Sequence, residues 1–231
     1  MERVVLVHAG ACDATMWDGF DVPGALRHEL RGFGQTPLPA AGSFSHVDDL
    51  EGSLGGGPAA LVGASYGGLV SLEVAVRRPE LVPALVLLDA PVADHDWSPD
   101  VLGFAEQEAS MVEQGDFSGA ALLNADFWTA PLASASVRER IAAMQEHAFE
   151  LQAQSDAEEV ELEGIDLGTV SARTLVVVGE HDKRDFHDIS ERLAREIPGA
   201  ERAVIDGAGH LPALERPAET AELVRRFLAH I

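Results

Sequence analysis

The sequence predicts an α/β fold in which helices flank a mostly parallel sheet of about six strands. The first observation is a series of short, continuously apolar runs bounded by Gly, Pro or Asp, which is typical of strands buried on both faces. The second is the amphipathic helical spacing of the segments between those runs. Strands that alternate with helices indicate an α/β architecture. The apolar runs lie at residues 4–7, 59–62, 84–88, 174–178 and 203–205.

The remaining elements are weaker or interrupt this alternation. Residues 25–30 predict a further strand despite their polar side chains. Residues 91–163 contain no predicted strand, and apolar residues recur there at helical spacing between Val137 and Leu151, which favours a helical cap insertion. We therefore expect an α/β core made of residues 1–90 and 164–231 and a helical cap made of residues 91–163.

The charge balance excludes several classes of partner. Sixteen Lys and Arg residues against thirty-nine Asp and Glu residues give a formal net charge of −23, which repels nucleic acid and anionic membrane surfaces.

The chain length of 231 residues fits one domain. Cys12 is the only cysteine, so no internal disulfide forms. Since the sequence contains no signal-peptide pattern and no apolar run that spans a membrane, we expect a cytoplasmic protein that acts on a small molecule.

A glycine-rich turn follows the second apolar run. Residues 63–68 are Gly-Ala-Ser-Tyr-Gly-Gly, a G-x-S-x-G pattern between a predicted strand and a predicted helix. Such a sharp turn holds Ser65 in a strained backbone conformation and needs small neighbours, here Gly63 and Gly67. It also places the hydroxyl at the start of a helix, where negative charge is favoured. We interpret Ser65 as a candidate nucleophile; the alternative is a glycine-rich turn with an incidental serine.

A serine nucleophile needs a base, and the base needs a third group that orients it. Asp182 follows the fourth apolar run, and His210 follows the fifth. Because the carboxyl ends of parallel strands share one edge of a sheet, we expect Ser65, Asp182 and His210 to meet there. We interpret His181 as a loop residue. The competing candidates for the acid are Asp89, which follows the third run, and Asp185, Asp188 and Asp206.

These motifs resemble those of the α/β-hydrolase-fold serine hydrolases. The resemblance covers the chain outside the predicted cap and includes residues 8–10 (His-Ala-Gly), 30–34 (Leu-Arg-Gly-Phe-Gly) and 210–212 (His-Leu-Pro). It implies that Ser65 is the nucleophile, His210 the general base and Asp182 the residue that orients the imidazole. It also implies an oxyanion hole formed by the backbone N–H groups of Gly10 and Tyr66. By the same resemblance, we expect the antiparallel strands that commonly begin this fold to be missing.

The resemblance implies a serine hydrolase that cleaves a small carboxylic ester or lactone through an acyl-enzyme, with no cofactor and no metal. In the predicted cap, Trp97 and Trp128 are the candidates for contact with the substrate. The same fold hosts thioesterases, C–C bond hydrolases and other chemistries, and a hydrolase-like binding protein without turnover is a further alternative. The sequence leaves the substrate, and the choice between monomer and homodimer, open.

Overall fold

The protein is built around one parallel sheet, as its sequence predicts. The structure is a computed structural model that describes residues 3–229. The strands are β1 (Val4–Val7), β2 (Leu26–His28), β3 (Ala41–Phe44), β4 (Ala60–Ala64), β5 (Ala84–Leu88), β6 (Asp156–Glu159), β7 (Arg173–Gly179) and β8 (Glu201–Ile205). Six of them form the central sheet in the order β2-β1-β4-β5-β7-β8, and every neighbouring pair is parallel. The prediction of a mostly parallel sheet of about six strands is confirmed.

Helices cover both faces of this sheet. They are α1 (His46–Ser53), α2 (Tyr66–Arg77), α3 (Pro99–Glu113), α4 (Phe117–Trp128), α5 (Ala135–Gln152), α6 (Arg184–Glu196), α7 (Pro212–Glu215) and α8 (Pro217–Leu228). Side chains alternate along a strand, so Val5 and Val7 pack on the face of α1, α2 and α6, whereas Val4 and Leu6 pack on the face of α8. Within residues 3–229, none of the helices has the length and hydropathy that a membrane crossing requires.

The two edge strands explain why polar residues occur in the sheet. Strand β2, at one edge, exposes Leu26 and Arg27, and strand β8, at the other edge, exposes Val204. An edge strand has a neighbour on one side only, so it needs less continuous apolarity than the central strands. This is why the polar segment at residues 25–30 still contains a strand.

Three helices lie where the sequence predicts the cap. A polar side chain begins each of them: Ser98 accepts a hydrogen bond from the N–H of Val101 in α3, Asp116 from that of Gly119 in α4, and Ser134 from that of Val137 in α5. The helices share a small apolar cluster centred on Ala120, Ala121 and Phe149.

The prediction that residues 91–163 contain no strand is wrong. Strand β6 lies in this segment and pairs in parallel with β3, from Ala41 opposite Asp156 to Phe44 opposite Glu159. Strand β6 has the sequence Asp-Ala-Glu-Glu and is half-exposed, so it carries no apolar run that could indicate a strand. Main-chain pairing with β3, which is also largely exposed, stabilises it instead. We call this two-stranded sheet, β3 with β6, the strap.

Candidate active site

Ser65 lies at the turn between β4 and α2 in a strained conformation. Its φ and ψ angles are 47° and −121°, in a region that residues other than glycine rarely adopt. Its N–H donates to the carbonyl of Leu88 on the neighbouring strand, at 2.8 Å. A Cβ atom at Gly63 would collide with the carbonyl oxygen of Gly67, and a Cβ atom at Gly67 would collide with that of His8. The turn therefore closes only because both of these positions are glycine.

Ser65, His210 and Asp182 form one hydrogen-bonded chain. The Nε2 atom of His210 lies 2.8 Å from Oγ of Ser65, and its Nδ1 atom lies 2.8 Å from Oδ2 of Asp182. The imidazole and this carboxylate are almost fully buried. Oδ1 of Asp182 accepts a hydrogen bond from the N–H of Lys183, at 2.7 Å, which holds the carboxylate in place. With a proton on Nδ1, His210 presents Nε2 as an acceptor to the Ser65 hydroxyl.

Asp89 is a second buried carboxyl group beside this chain. It follows β5 with a φ angle of 48°, and its Oδ1 atom accepts a hydrogen bond from the N–H of Gly179, at 2.8 Å. Its other oxygen, buried, has no hydrogen-bond partner within residues 3–229. Burial, with the nearby charge of Asp182, raises the pKa of Asp89 well above its usual range. Of the two aspartates, Asp182 is the one that contacts the imidazole.

Within residues 3–229, the other acidic and imidazole candidates make no side-chain hydrogen bond with Ser65 or His210. Asp185 accepts hydrogen bonds from the N–H and the hydroxyl of Ser98, at 2.8 and 2.7 Å, and so fixes the start of α3. His181 is exposed, as a loop residue would be. Within residues 3–229, one set of side chains has the spacing of a metal site, with ligand atoms within 4.8 Å of one another: Asp89, Asp182 and His210. Nδ1 of that histidine faces Asp182, so the same set also suits proton transfer.

Two backbone N–H groups lie beside Ser65 without an acceptor. Tyr66 is the first residue of α2, where a backbone N–H has no partner inside the helix. The N–H groups of Gly10 and Tyr66 donate no hydrogen bond to any other group of residues 3–229. The two residues are adjacent, since a Cβ atom on Gly10 would lie 3.3 Å from Cβ of Tyr66. These are the two donors that the resemblance implies for an oxyanion hole.

A cavity of about 210 Å³ opens beside Ser65 and His210, and residues of α3, α4 and α5 contribute to its lining. The indole ring of Trp128 lines it and packs on the imidazole of His210, with ring centroids 4.5 Å apart. Trp97, the other predicted contact, instead packs against Phe186, at 5.6 Å between ring centroids. The lining consists of Gly10, Ala11, Ser65, Phe104, Glu108, Asn124, Trp128, Gln145 and His210.

Comparison with known proteins identifies the family. Residues 4–223 match the family described as "Alpha/beta hydrolase family". The chain belongs to this family. It is 29% identical over 215 residues to 2-hydroxymuconate semialdehyde hydrolase of Pseudomonas putida, and the alignment covers 87% of this chain and 75% of that relative.

Two solved structures resemble this alpha/beta hydrolase over nearly its whole length. One is a thermophilic esterase from Thermogutta terrifontis, with a TM-score of 0.81 and 27% identity, covering 100% of this chain and 90% of that chain. The other is Est816, an N-acyl homoserine lactone degrading enzyme, with a TM-score of 0.76 and 26% identity, covering 98% of this chain and 93% of that chain. The hydrolase thus has esterase-like and lactonase-like structural neighbours.

A second cavity of the hydrolase, of about 410 Å³, lies beneath the strap. Gly10 lines both cavities, and Tyr66 lines this one. The hydroxyl of Tyr66 donates to the carboxylate of Glu159, and Nδ1 of His46 lies 3.1 Å from that hydroxyl and 2.9 Å from that carboxylate. Burial and the Glu159 carboxylate both raise the pKa of Tyr66, which therefore stays protonated.

Sequence reasoning missed four polar residues of the two cavities. Glu108, Asn124 and Gln145 line the smaller cavity, and Glu159 lines the larger one. The one available signal is Asn124, which interrupts a largely apolar helix and lies four residues before Trp128, on the same face of α4. The other residues belong to segments rich in acidic side chains. In such a segment, the sequence pattern does not distinguish a residue that faces a cavity from one that faces solvent.

Proposed function

We propose that this alpha/beta hydrolase is a serine hydrolase that cleaves small carboxylic esters or lactones. The observation that carries the proposal is the hydrogen-bonded chain from Ser65 through His210 to Asp182, with two unpaired backbone N–H groups beside the serine. A hydroxyl, an imidazole and a carboxylate in this order are the groups that acyl transfer requires. The esterase and the lactone-degrading enzyme among the structural neighbours support the substrate class.

In the proposed mechanism, Oγ of Ser65 attacks the carbonyl carbon of the substrate while Nε2 of His210 takes the hydroxyl proton. The carbonyl oxygen becomes an oxyanion, which accepts hydrogen bonds from the N–H groups of Gly10 and Tyr66. Asp182 stabilises the imidazolium that forms. His210 then donates its proton to the leaving alcohol as the C–O bond breaks, which leaves an acyl group on Ser65. A water molecule, deprotonated by His210, releases the acid by the same steps and restores the serine.

We also propose that the chain divides into the α/β core and the cap at the boundaries expected above, with α3, α4 and α5 as the body of the cap. The contact of Trp128 with His210 supports a cap that covers the reacting groups. A covering of this kind excludes water from the developing charge and limits the size of the substrate.

A C–C bond hydrolase is the second candidate. The similarity to 2-hydroxymuconate semialdehyde hydrolase favours it. Both candidate reactions need Ser65 and His210, so the choice between them depends on which substrate the cavities accept. None of the residues that line the smaller cavity is a lysine or an arginine, and Glu108 contributes a carboxylate, which favours an uncharged or cationic group there.

A fluorophosphonate probe tests the proposed nucleophile, because it labels only serines that an adjacent base activates. We expect one adduct per chain by intact mass spectrometry, no adduct with Ser65→Ala, and labelling slowed by at least about 10³-fold with His210→Ala. Ser110→Ala, which removes an exposed serine of α3, is the matched control and should label like the wild type. An unlabelled, folded wild-type protein would exclude acyl transfer and support the binding-protein alternative.

A further inference from the structure

Each cap helix contributes one polar side chain to the cavity beside Ser65. They are Glu108 from α3, Asn124 from α4 and Gln145 from α5. Phe104 and Trp128 lie one helical turn from Glu108 and Asn124, respectively, and line the same cavity. The cavity therefore has apolar walls together with a polar region in which three helices meet.

Asn124 holds the carboxylate of Glu108 in a fixed position. Its amide nitrogen donates to Oε1 of Glu108 and to the carbonyl of Ala120, and its amide oxygen accepts from Nε1 of Trp128, at 3.2 Å. Both the nitrogen and the oxygen of this amide are therefore hydrogen-bonded within the protein. Because Trp128 also packs on His210, one chain of contacts connects the polar region with the candidate base.

The carboxylate of Glu108 keeps one oxygen free. Within residues 3–229, Oε2 accepts no hydrogen bond, and no Lys, Arg or His lies within ion-pair distance of this carboxylate. Burial raises the pKa of Glu108, because a partly buried carboxylate loses contact with water. A carboxylate with a single amide partner in a cavity is stabilised by any hydrogen-bond donor that a ligand brings.

We infer that Glu108, positioned by Asn124, is a specificity subsite for a hydrogen-bond donor on the substrate, a hydroxyl or an ammonium group. The inference rests on the proposed function and adds a substrate class, namely short esters or lactones that carry a hydroxyl or amino group a few bonds from the scissile carbonyl. The volume of about 210 Å³ is below the ~300–1,000 Å³ of pockets that hold drug-sized ligands, so the group that enters is short.

Ethyl esters of three nearly isosteric acids test the inference: 3-methylbutanoate, 3-hydroxybutanoate and 3-aminobutanoate. The matching acetates of 3-methylbutanol, 1,3-butanediol and 3-aminobutanol cover the case in which the alcohol enters the cavity. In one of these series we expect kcat/KM for the hydroxyl compound to exceed that for the methyl compound by about tenfold or more, since a charged acceptor gains a donor. The ammonium compound distinguishes a preference for charge from a preference for any donor.

Variants of Glu108 assign the preference. Glu108→Gln keeps the contact with Asn124 but replaces the free oxygen by an amide donor, so the ratio of ammonium to methyl substrate should fall to about one or below, because an ammonium group cannot accept from that amide. Glu108→Asp keeps the charge and should retain part of the preference, which separates loss of recognition from loss of folding. Glu106→Gln, an exposed glutamate of the same helix, is the control and should leave the ratio unchanged.

Three results would overturn the inference. If the wild type hydrolyses the methyl compounds but gains nothing from the hydroxyl or ammonium group in either series, the subsite is wrong and the proposed function stands. The same conclusion follows if a preference for the ammonium compound survives in Glu108→Gln. If no ester is hydrolysed and no fluorophosphonate adduct forms, the proposed function fails and the inference fails with it.

Discussion

The two sides of Ser65 are built in different ways. On the sheet side, Asp89, Asp182 and His210 each lie within a few residues of the end of a strand, and parallel pairing fixes those ends relative to one another. On the cap side, the groups that face the cavity come from three separate helices and depend on side-chain packing. The proposed reacting groups thus follow strands of the sheet, while the proposed substrate contacts on the helices can change without disturbing them. Changes on the sheet side should slow every substrate, and changes on the cap side should alter the choice of substrate.

The largest expected effect separates the two buried aspartates of the sheet side. Asp182→Asn removes the carboxylate that orients His210 and should lower kcat by about 10⁴-fold for every ester. Asp89→Asn should lower kcat by no more than about tenfold, because an asparagine still accepts the N–H of Gly179 and because Asp89 does not contact the imidazole. Steady-state kinetics on one short ester measures both. The reverse order of effects would make Asp89 the acid, and Ser65→Ala sets the background rate for the comparison.

A second prediction tests how rigid the turn at Ser65 is. A Cβ atom at Gly67 would lie 2.6 Å from the carbonyl oxygen of Val7, so Gly67→Ala forces the turn away from β1. We expect the free energy of unfolding in urea to fall by about 3 kcal/mol or more. Gly103→Ala is the matched control in the cap, since a Cβ atom there meets nothing within 4 Å, and it should stabilise helix α3 by about 0.5–1 kcal/mol. Equal effects at both positions would contradict a turn that is rigid and a cap that tolerates change.

The difference between the sheet side and the cap side of Ser65 also determines which site residues the sequence can predict. Ser65, Asp182 and His210 can be found because each follows an apolar run, and the geometry of parallel strands brings such ends together. The contact between Glu108 and Asn124 cannot be found in this way, because it depends on how two helices are packed. Strand β6 escapes prediction for a related reason, since its pairing partner β3, and not its own acidic sequence, makes it a strand.

A third prediction concerns the pH dependence of stability on the sheet side. The pKa of Asp89 is raised in the folded protein, so the folded state binds its proton more tightly than the unfolded state does. Above pH ~4, where an unfolded aspartate ionises, this group makes the protein less stable as the pH rises, until the raised pKa is reached. The asparagine of Asp89→Asn does not ionise, so this variant does not lose stability in this way as the pH rises. We expect its stability relative to the wild type to increase between pH 5 and pH 7 by up to about 1.4 kcal/mol per pH unit, measured by urea unfolding. A difference that does not change with pH would mean that Asp89 titrates normally.

The smallest expected effect lies in the strap, on the side of the site that forms the larger cavity. The carboxylate of Glu159 connects β6 to Tyr66 and His46, and β6 has few other anchors because the strap is half-exposed. Glu159→Ala removes both contacts and should lower the local stability of the strap by about 1 kcal/mol. The N–H of Val160 bonds to the carbonyl of Phe44 across the strap, so its hydrogen exchange should become about fivefold faster, while exchange in β4 stays unchanged. Glu159→Gln keeps an acceptor for the Tyr66 hydroxyl and should show the smaller change of the two. If both variants exchange like the wild type, the carboxylate does not anchor the strap, and main-chain pairing between β3 and β6 alone closes this side of the site.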